Sequence, residues 1–289
     1  MSQIKIFIEL TRLNKPIGFM LLFWPCSWGL ALAYGSSQNL NQLLYFLILF
    51  FLGSVLMRSA GCIVNDIVDR DLDKKVQRTK NRPLASGAIS VRQSITYVII
   101  LCMIAFLILI QFNKLTIILG MSSMFLAFSY PFMKRITYWP QLFLGLTFNW
   151  GIIMAWTSIN NGISTEILLL YISAIFWTLG YDTIYGAQDI IDDEIIGVKS
   201  TSLKFKNKIK LFVFSCYLIT SLLIFFIFYN KMITNYSIIL ILFFILSLVY
   251  QIKIFDKTKP TTCLQAFKIN NFSGLILFFG ILGSQEFLF

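Results

Sequence analysis

The chain has 289 residues, of which 57% are hydrophobic and 13% charged, and its formal net charge is +11. Soluble domains carry about 25% charged residues, so these figures exclude a soluble globular enzyme, a disordered chain and a disulfide scaffold, and they imply an all-α polytopic membrane protein. The positive charge reads as a bias of basic residues to one side of a membrane, not as a nucleic-acid surface.

Taken in order, apolar runs predict nine spanning helices, at about 17–34, 41–64, 94–112, 115–131, 141–159, 165–186, 211–229, 233–252 and 269–285. The first could pass for a signal peptide, because Ala31-Leu32-Ala33 resembles a cleavage site. Pro25-Cys26-Ser27 interrupts it, and Trp24 and Trp28 are unusual there, so it reads as a retained span. Pro131 is expected to end the fourth span and Pro140 to open the fifth. With nine spans, 21 of the 24 basic residues share one side; Lys114 and Lys231 lie opposite and Arg58 lies within a span. This places the N-terminus in the cytoplasm and the C-terminus outside. Residues 1–289 read as a single membrane domain, with loops at about 65–93 and 187–210 capping its cytoplasmic side. Lys204, Lys206, Lys208 and Lys210 read as topology-setting charges near anionic lipid.

The absence of His removes His-ligated zinc, His-held haem and a His general base. Five scattered Cys with no C-x-x-C read as packing residues.

Nine of the 13 acids fall in two short windows. In the first, Asp66, Asp69 and Asp73 share a helical face while Asp71 points away. In the second, Asp182, Asp189 and Asp193 share a face, with Tyr185 beside them. Like charges on one face repel unless a cation joins them, and acids near hydrocarbon are costly. Both windows close spans that run in the same direction, offset by 116 residues, which suggests a duplicated four-helix unit with one helix over. Carboxylates favour hard cations, and Mg²⁺ bound by a few of them completes its shell with phosphate oxygens and water. Basic residues follow the clusters: Arg78, Lys80 and Arg82, then Lys134 and Arg135, then Lys199. Together they suggest a diphosphate held by Mg²⁺. The bland alternative is a solvated, salt-bridged loop. Arg58, seven residues before Asn65, projects on the same face and is either ion-paired to a cluster Asp or the anchor of a small acidic substrate.

These residues resemble the UbiA superfamily of intramembrane prenyltransferases. The pattern N-D-x-x-D-x-x-x-D stands as Asn65, Asp66, Asp69 and Asp73, and D-x-x-x-D as Asp189 and Asp193, with Asp182 and Tyr185 upstream. Strings around Asn14–Gly18, Leu56–Cys62, Tyr130–Arg135 and Ile196–Thr201 resemble the 4-hydroxybenzoate polyprenyltransferase branch. The resemblance implies nine helices around a central cavity, and transfer of a polyprenyl group from its diphosphate to 4-hydroxybenzoate, ortho to the hydroxyl, in ubiquinone biosynthesis. It implies Mg²⁺ with diphosphate on Asp66, Asp69, Asp73, Asp189 and Asp193, with Asp182 as the candidate base. Substrate contacts are implied for Arg58, Asn65, Arg78, Arg82, Tyr130, Lys134, Arg135 and Tyr185. Membrane lipid is an expected partner, and residue usage suggests a bacterial inner membrane. Two departures stand out: Ile190-Ile191 where polar residues are usual, expected to face away from the acids, and Gly186 where Ala is usual, expected to loosen the helix. The rivals are menaquinone, haem or chlorophyll-type acceptors, and a secondary transporter.

Overall fold

The computed structural model describes residues 2–75, 79–232 and 237–285. Nine helices among them are long and apolar enough to cross a membrane, which makes this an integral membrane protein. They are α2 (Ile17–Ser37), α3 (Leu40–Val68), α5 (Val91–Leu109), α6 (Lys114–Ile136), α7 (Pro140–Ile159), α8 (Thr165–Gly186), α11 (Ile209–Met232), α12 (Ser237–Ile254) and α13 (Pro260–Ser284). Four short helices lie at their ends: α1 (Gln3–Thr11), α4 (Arg70–Asp73), α9 (Ile190–Ile196) and α10 (Thr201–Lys204). Polar caps start many of them; Asn39, Ser90, Asn113 and Ser164 each accept a backbone N–H with the side chain.

Successive spans pack side by side and close into a ring, with α13 returning to α2. The ring is pinched by α2 against α7 and by α8 against α13. Beyond the pinch, α8, α11, α12 and α13 fill their interior with side chains such as Trp177, Phe228 and Phe244. Buried polar groups there pair with one another: Trp177 Nε1 donates to Asn270 Oδ1 (2.8 Å), and Tyr217 Oη to Gln251 Oε1 (2.6 Å). The cavity therefore lies on the other side of the pinch, bounded by α2, α3, α5, α6 and α7.

Two predicted boundaries are corrected. The first span runs through Pro25 as expected, but Pro131 does not end the fourth; α6 continues through it to Ile136. A spanning helix tolerates a proline when neighbouring groups satisfy the freed carbonyls. Lys134 and Arg135 consequently ride on the last turn of α6 instead of a loop. The ninth helix starts at Pro260, not near 269, because proline suits a first helical position, while the polar Thr261, Thr262 and Lys268 hide the apolar signal.

The paired design of the clusters is visible in the backbone. At the first, α3 stops at Val68 and the chain resumes as α4. At the second, α8 stops at Gly186, passes through a 3₁₀ turn at Ala187–Asp189 and resumes as α9.

Candidate active site

The two acidic clusters face each other across a polar recess of about 250 Å³. Asp69, Asp73 and Asn65 line one wall, and Tyr185, Asp189 and Asp193 the other. Asp66, Asp69 and Asp73 are buried, at 2%, 6% and 8% exposure, whereas Asp71 is exposed and bonded to Lys74 (3.0 Å). That bond holds the Asp71 carboxyl below the usual carboxylate range. The shared face read from the sequence therefore survives the helix break at Asp69.

Cations meet these acids directly. Arg82 Nη1 donates to Asp73 Oδ2 (2.8 Å) and Asp66 Oδ1 (3.2 Å). Lys134 pairs with Asp69, and Arg135 donates to the carbonyl of Val68 (2.6 Å), at the C-terminal end of α3. Arg78 lies outside the described residues. Arg82 owes its position to a loop anchored by the buried Leu84 and Ile89, which pack with Ile6 and Leu10 of α1. Thr79 ties that loop back to the carbonyl of Asp73 (3.1 Å).

Sequence reasoning missed Arg12. It follows α1 with φ 56, a left-handed turn, and its Nη2 reaches Asp66 Oδ1 at 2.6 Å. The available signal was the i, i+4 pair Ile6 and Leu10, which seats α1 against the bundle. Asp192, also absent from the predicted set, borders the recess. Lys199 does not face the recess. Its N–H donates to Lys134 O (2.8 Å) and its Nζ to Ile136 O (3.0 Å), so it closes the end of α6.

The second loop is pinned from behind. Thr183 and Thr201 hydroxyls pair at 2.7 Å, Ser202 donates to the Thr183 carbonyl (2.8 Å), and Gln141 accepts from the Thr201 N–H (2.9 Å). Gly186 belongs to this joint: a Cβ there would meet Ser202 Oγ at 2.7 Å. Its role is close approach, where the sequence suggested only a looser helix. Ile190 packs on the core and Ile191 is exposed, both away from the recess lining, as expected.

Behind the recess opens an apolar chamber of about 750 Å³. Asn65, Tyr130 and Pro131 line both spaces and form the junction. Methionines and phenylalanines supply much of the chamber wall, and several on α5 and α6 (Met103, Phe106, Met121, Phe128) are exposed. Arg58 projects into this chamber. The ion-pair reading of Arg58 is not realised: none of its salt bridges appears among the described residues, its Nε is buried without a hydrogen-bond partner, and its guanidinium lies 5.5 Å from the Phe148 ring centre. Asp182, nearly two turns before Asp189 on α8, lies within electrostatic reach of Arg58 and Tyr130.

The donor set suits a hard divalent cation shared with a ligand. Asp69 Oδ1 is buried with no hydrogen bond, and every candidate donor is a carboxylate oxygen. No three acidic side chains among the described residues converge on one point. That agrees with Mg²⁺ sites in which phosphate oxygens and water complete the shell.

Comparison with known proteins gives concordant results. The model of the UbiA prenyltransferase family matches residues 22–273. A mitochondrial 4-hydroxybenzoate polyprenyltransferase of Caenorhabditis elegans is 41% identical over 98% of this chain and 79% of its own length. The protein of that name from Arabidopsis thaliana is 46% identical over 73% of this chain, a match spanning only 52% of the relative. Among solved structures, a UbiA homologue from Aeropyrum pernix superposes with TM-score 0.73 at 22% identity, covering 91% of this chain and 96% of that one. A homologue from Archaeoglobus fulgidus, solved with GPP and Mg²⁺, gives 0.67 at 16% identity, covering 96% and 99%. At these identities the structures establish the fold.

Proposed function

This chain belongs to the UbiA prenyltransferase family, and from that premise we propose that it transfers a polyprenyl group from polyprenyl diphosphate to 4-hydroxybenzoate, a step of ubiquinone biosynthesis. The observation that carries the reading is the junction at Asn65 and Tyr130, where a charged recess suited to diphosphate opens into an apolar chamber lined also by Arg58, which makes no salt bridge among the described residues. The names of the relatives support the acceptor.

Arg12, Arg82, Lys134 and Arg135 hold the diphosphate oxygens, Arg through its planar fork. Asp66, Asp69, Asp73, Asp189 and Asp193 are the carboxylates that would hold Mg²⁺ there, and the ion supplies charge neutralisation for the leaving diphosphate. In the ligand-bound site the cations now paired with Asp66, Asp69 and Asp73 turn to phosphate, releasing those carboxylates. Tyr185 borders the same recess and orients the diphosphate.

The allylic C–O bond then breaks, its electron pair leaving with the diphosphate. The chamber walls keep water from the resulting cation, and faces such as that of Phe148 are placed to stabilise it. Arg58 and Asn65 hold the acceptor carboxylate. The ring carbon ortho to the hydroxyl bonds to the cation, and that carbon's proton passes to the Asp182 carboxylate. The tail leaves between α5 and α6, where chamber-lining residues are exposed.

We place the recess on the cytoplasmic side of a bacterial inner membrane. Several relatives bear a mitochondrial name. The test is to incubate membranes containing the protein with ring-labelled 4-hydroxybenzoate, a polyprenyl diphosphate and Mg²⁺. Label is expected in the lipid extract; label confined to the aqueous phase with every donor overturns the assignment.

A further inference from the structure

Glycine in a membrane helix usually lets two elements approach closely. Most helical glycines here fit that account. A Cβ would lie 2.4 Å from the Ile152 carbonyl at Gly29, 2.3 Å from Cys26 Sγ at Gly151, 2.4 Å from the Tyr217 ring at Gly180 and 2.5 Å from Trp24 at Gly274. Gly53 and Gly61 of α3 differ. Among the described helical glycines they alone would place a Cβ with nothing inside 4 Å. Glycine is a weak helix former, so two of them facing open space call for another reason.

Both border the apolar chamber. Gly53, Met57, Gly61 and Asn65, four residues apart, form a stripe that winds slowly around α3, and all four line the chamber. A shallow track therefore leads from Asn65, at the edge of the charged recess, about 18 Å along the helix to Gly53. The facing wall is set with Met103, Met121 and Met124, side chains that adapt to varied apolar shapes.

We propose that Gly53 and Gly61 determine specificity for the isoprenoid tail, with the track along α3 as its path. Gly61 passes the isoprene units nearest the diphosphate, and Gly53 passes those farther along. A side chain at position 53 therefore limits donor length, whereas one at position 61 obstructs donors of every length. This rests on the prenyl-transfer reading above and extends it to the choice of chain.

The experiment compares wild type with Gly53→Leu, Gly53→Ala and Gly61→Leu in membranes, using geranyl diphosphate and a long-chain polyprenyl diphosphate as donors. Since a Cβ at 53 meets no neighbour, these variants are compatible with the fold. For Gly53→Leu the ratio of kcat/KM for the short donor over the long one rises roughly tenfold or more, the scale of an overpacking penalty; Gly53→Ala shifts it less. Gly61→Leu lowers both donors together. An unchanged ratio in Gly53→Leu overturns the proposal, as does an equal loss with both donors. A wild-type protein that prenylates with neither donor removes the underlying function itself, a separate result.

Discussion

Asp69 gives one carboxylate oxygen to Lys134, and the other, without a hydrogen bond, lies 3.7 Å from Arg135 Nη2 at the edge of the recess. A buried acceptor without a donor costs stability, and on the proposed function a cation bound with the ligand would satisfy this oxygen. Arg58 poses the same question with opposite sign. We expect Arg58→Ala to raise KM for 4-hydroxybenzoate by about 10- to 100-fold, the worth of one charge-assisted hydrogen bond, with a smaller rise in KM for the donor. Equal changes in both would assign Arg58 to the architecture of the chamber. These residues were legible in the sequence because a charge inside an apolar run has few bland explanations. Arg12 was not. It sits in a tail that carries other basic residues, and only the tertiary contact with Asp66, 54 positions away, separates it from Lys5 and Lys15. Lys199 failed in the opposite direction, since its place after the second motif suggested phosphate while its amide and Nζ are spent on α6.

At the level of elements, α1 and the loop after α4 act as one clamp, because Ile6 and Leu10 pack with Leu84 and Ile89 while Arg12 and Arg82 converge on Asp66. Arg12→Ala leaves Asp66 with Arg82 alone and costs about 1–3 kcal/mol of local interaction. Thermal melting of the purified protein should fall by a few degrees, and kcat/KM for the donor should drop about tenfold; Arg12→Lys should recover part of both. The second loop offers a sharper test. Gly186→Ala drives a methyl group against Ser202 Oγ, so activity should fall, and Ser202→Ala in the same chain should restore much of it. If the double variant is no better than the single one, close approach is not what Gly186 provides. The number and order of the spans were readable from apolar runs of the right length. Their ends were less so, because Pro131 carries a local signal of termination that the packed bundle overrides, and because polar residues at the start of α13 dilute an apolar face that Cys263, Ala266 and Phe267 bury.

Across the whole molecule, the pinch of α2 against α7 divides the bundle into a packed half and a hollow one. The packed half carries α8 and with it the second acidic cluster; the hollow half carries α3 and, on the proposed function, would receive the prenyl chain. Both halves are built of apolar spans, and the division became visible only once the helices were placed. The central claim is that both acidic clusters serve one diphosphate at the mouth of the chamber. It is tested most directly by measuring inorganic diphosphate released alongside ring-labelled product, with Mg²⁺ present, for wild type, Asp69→Ala and Asp189→Ala in membranes containing equal amounts of protein. The account predicts one diphosphate per prenylated ring in the wild type and loss of both products in either variant. Near-wild-type turnover in either one would contradict it.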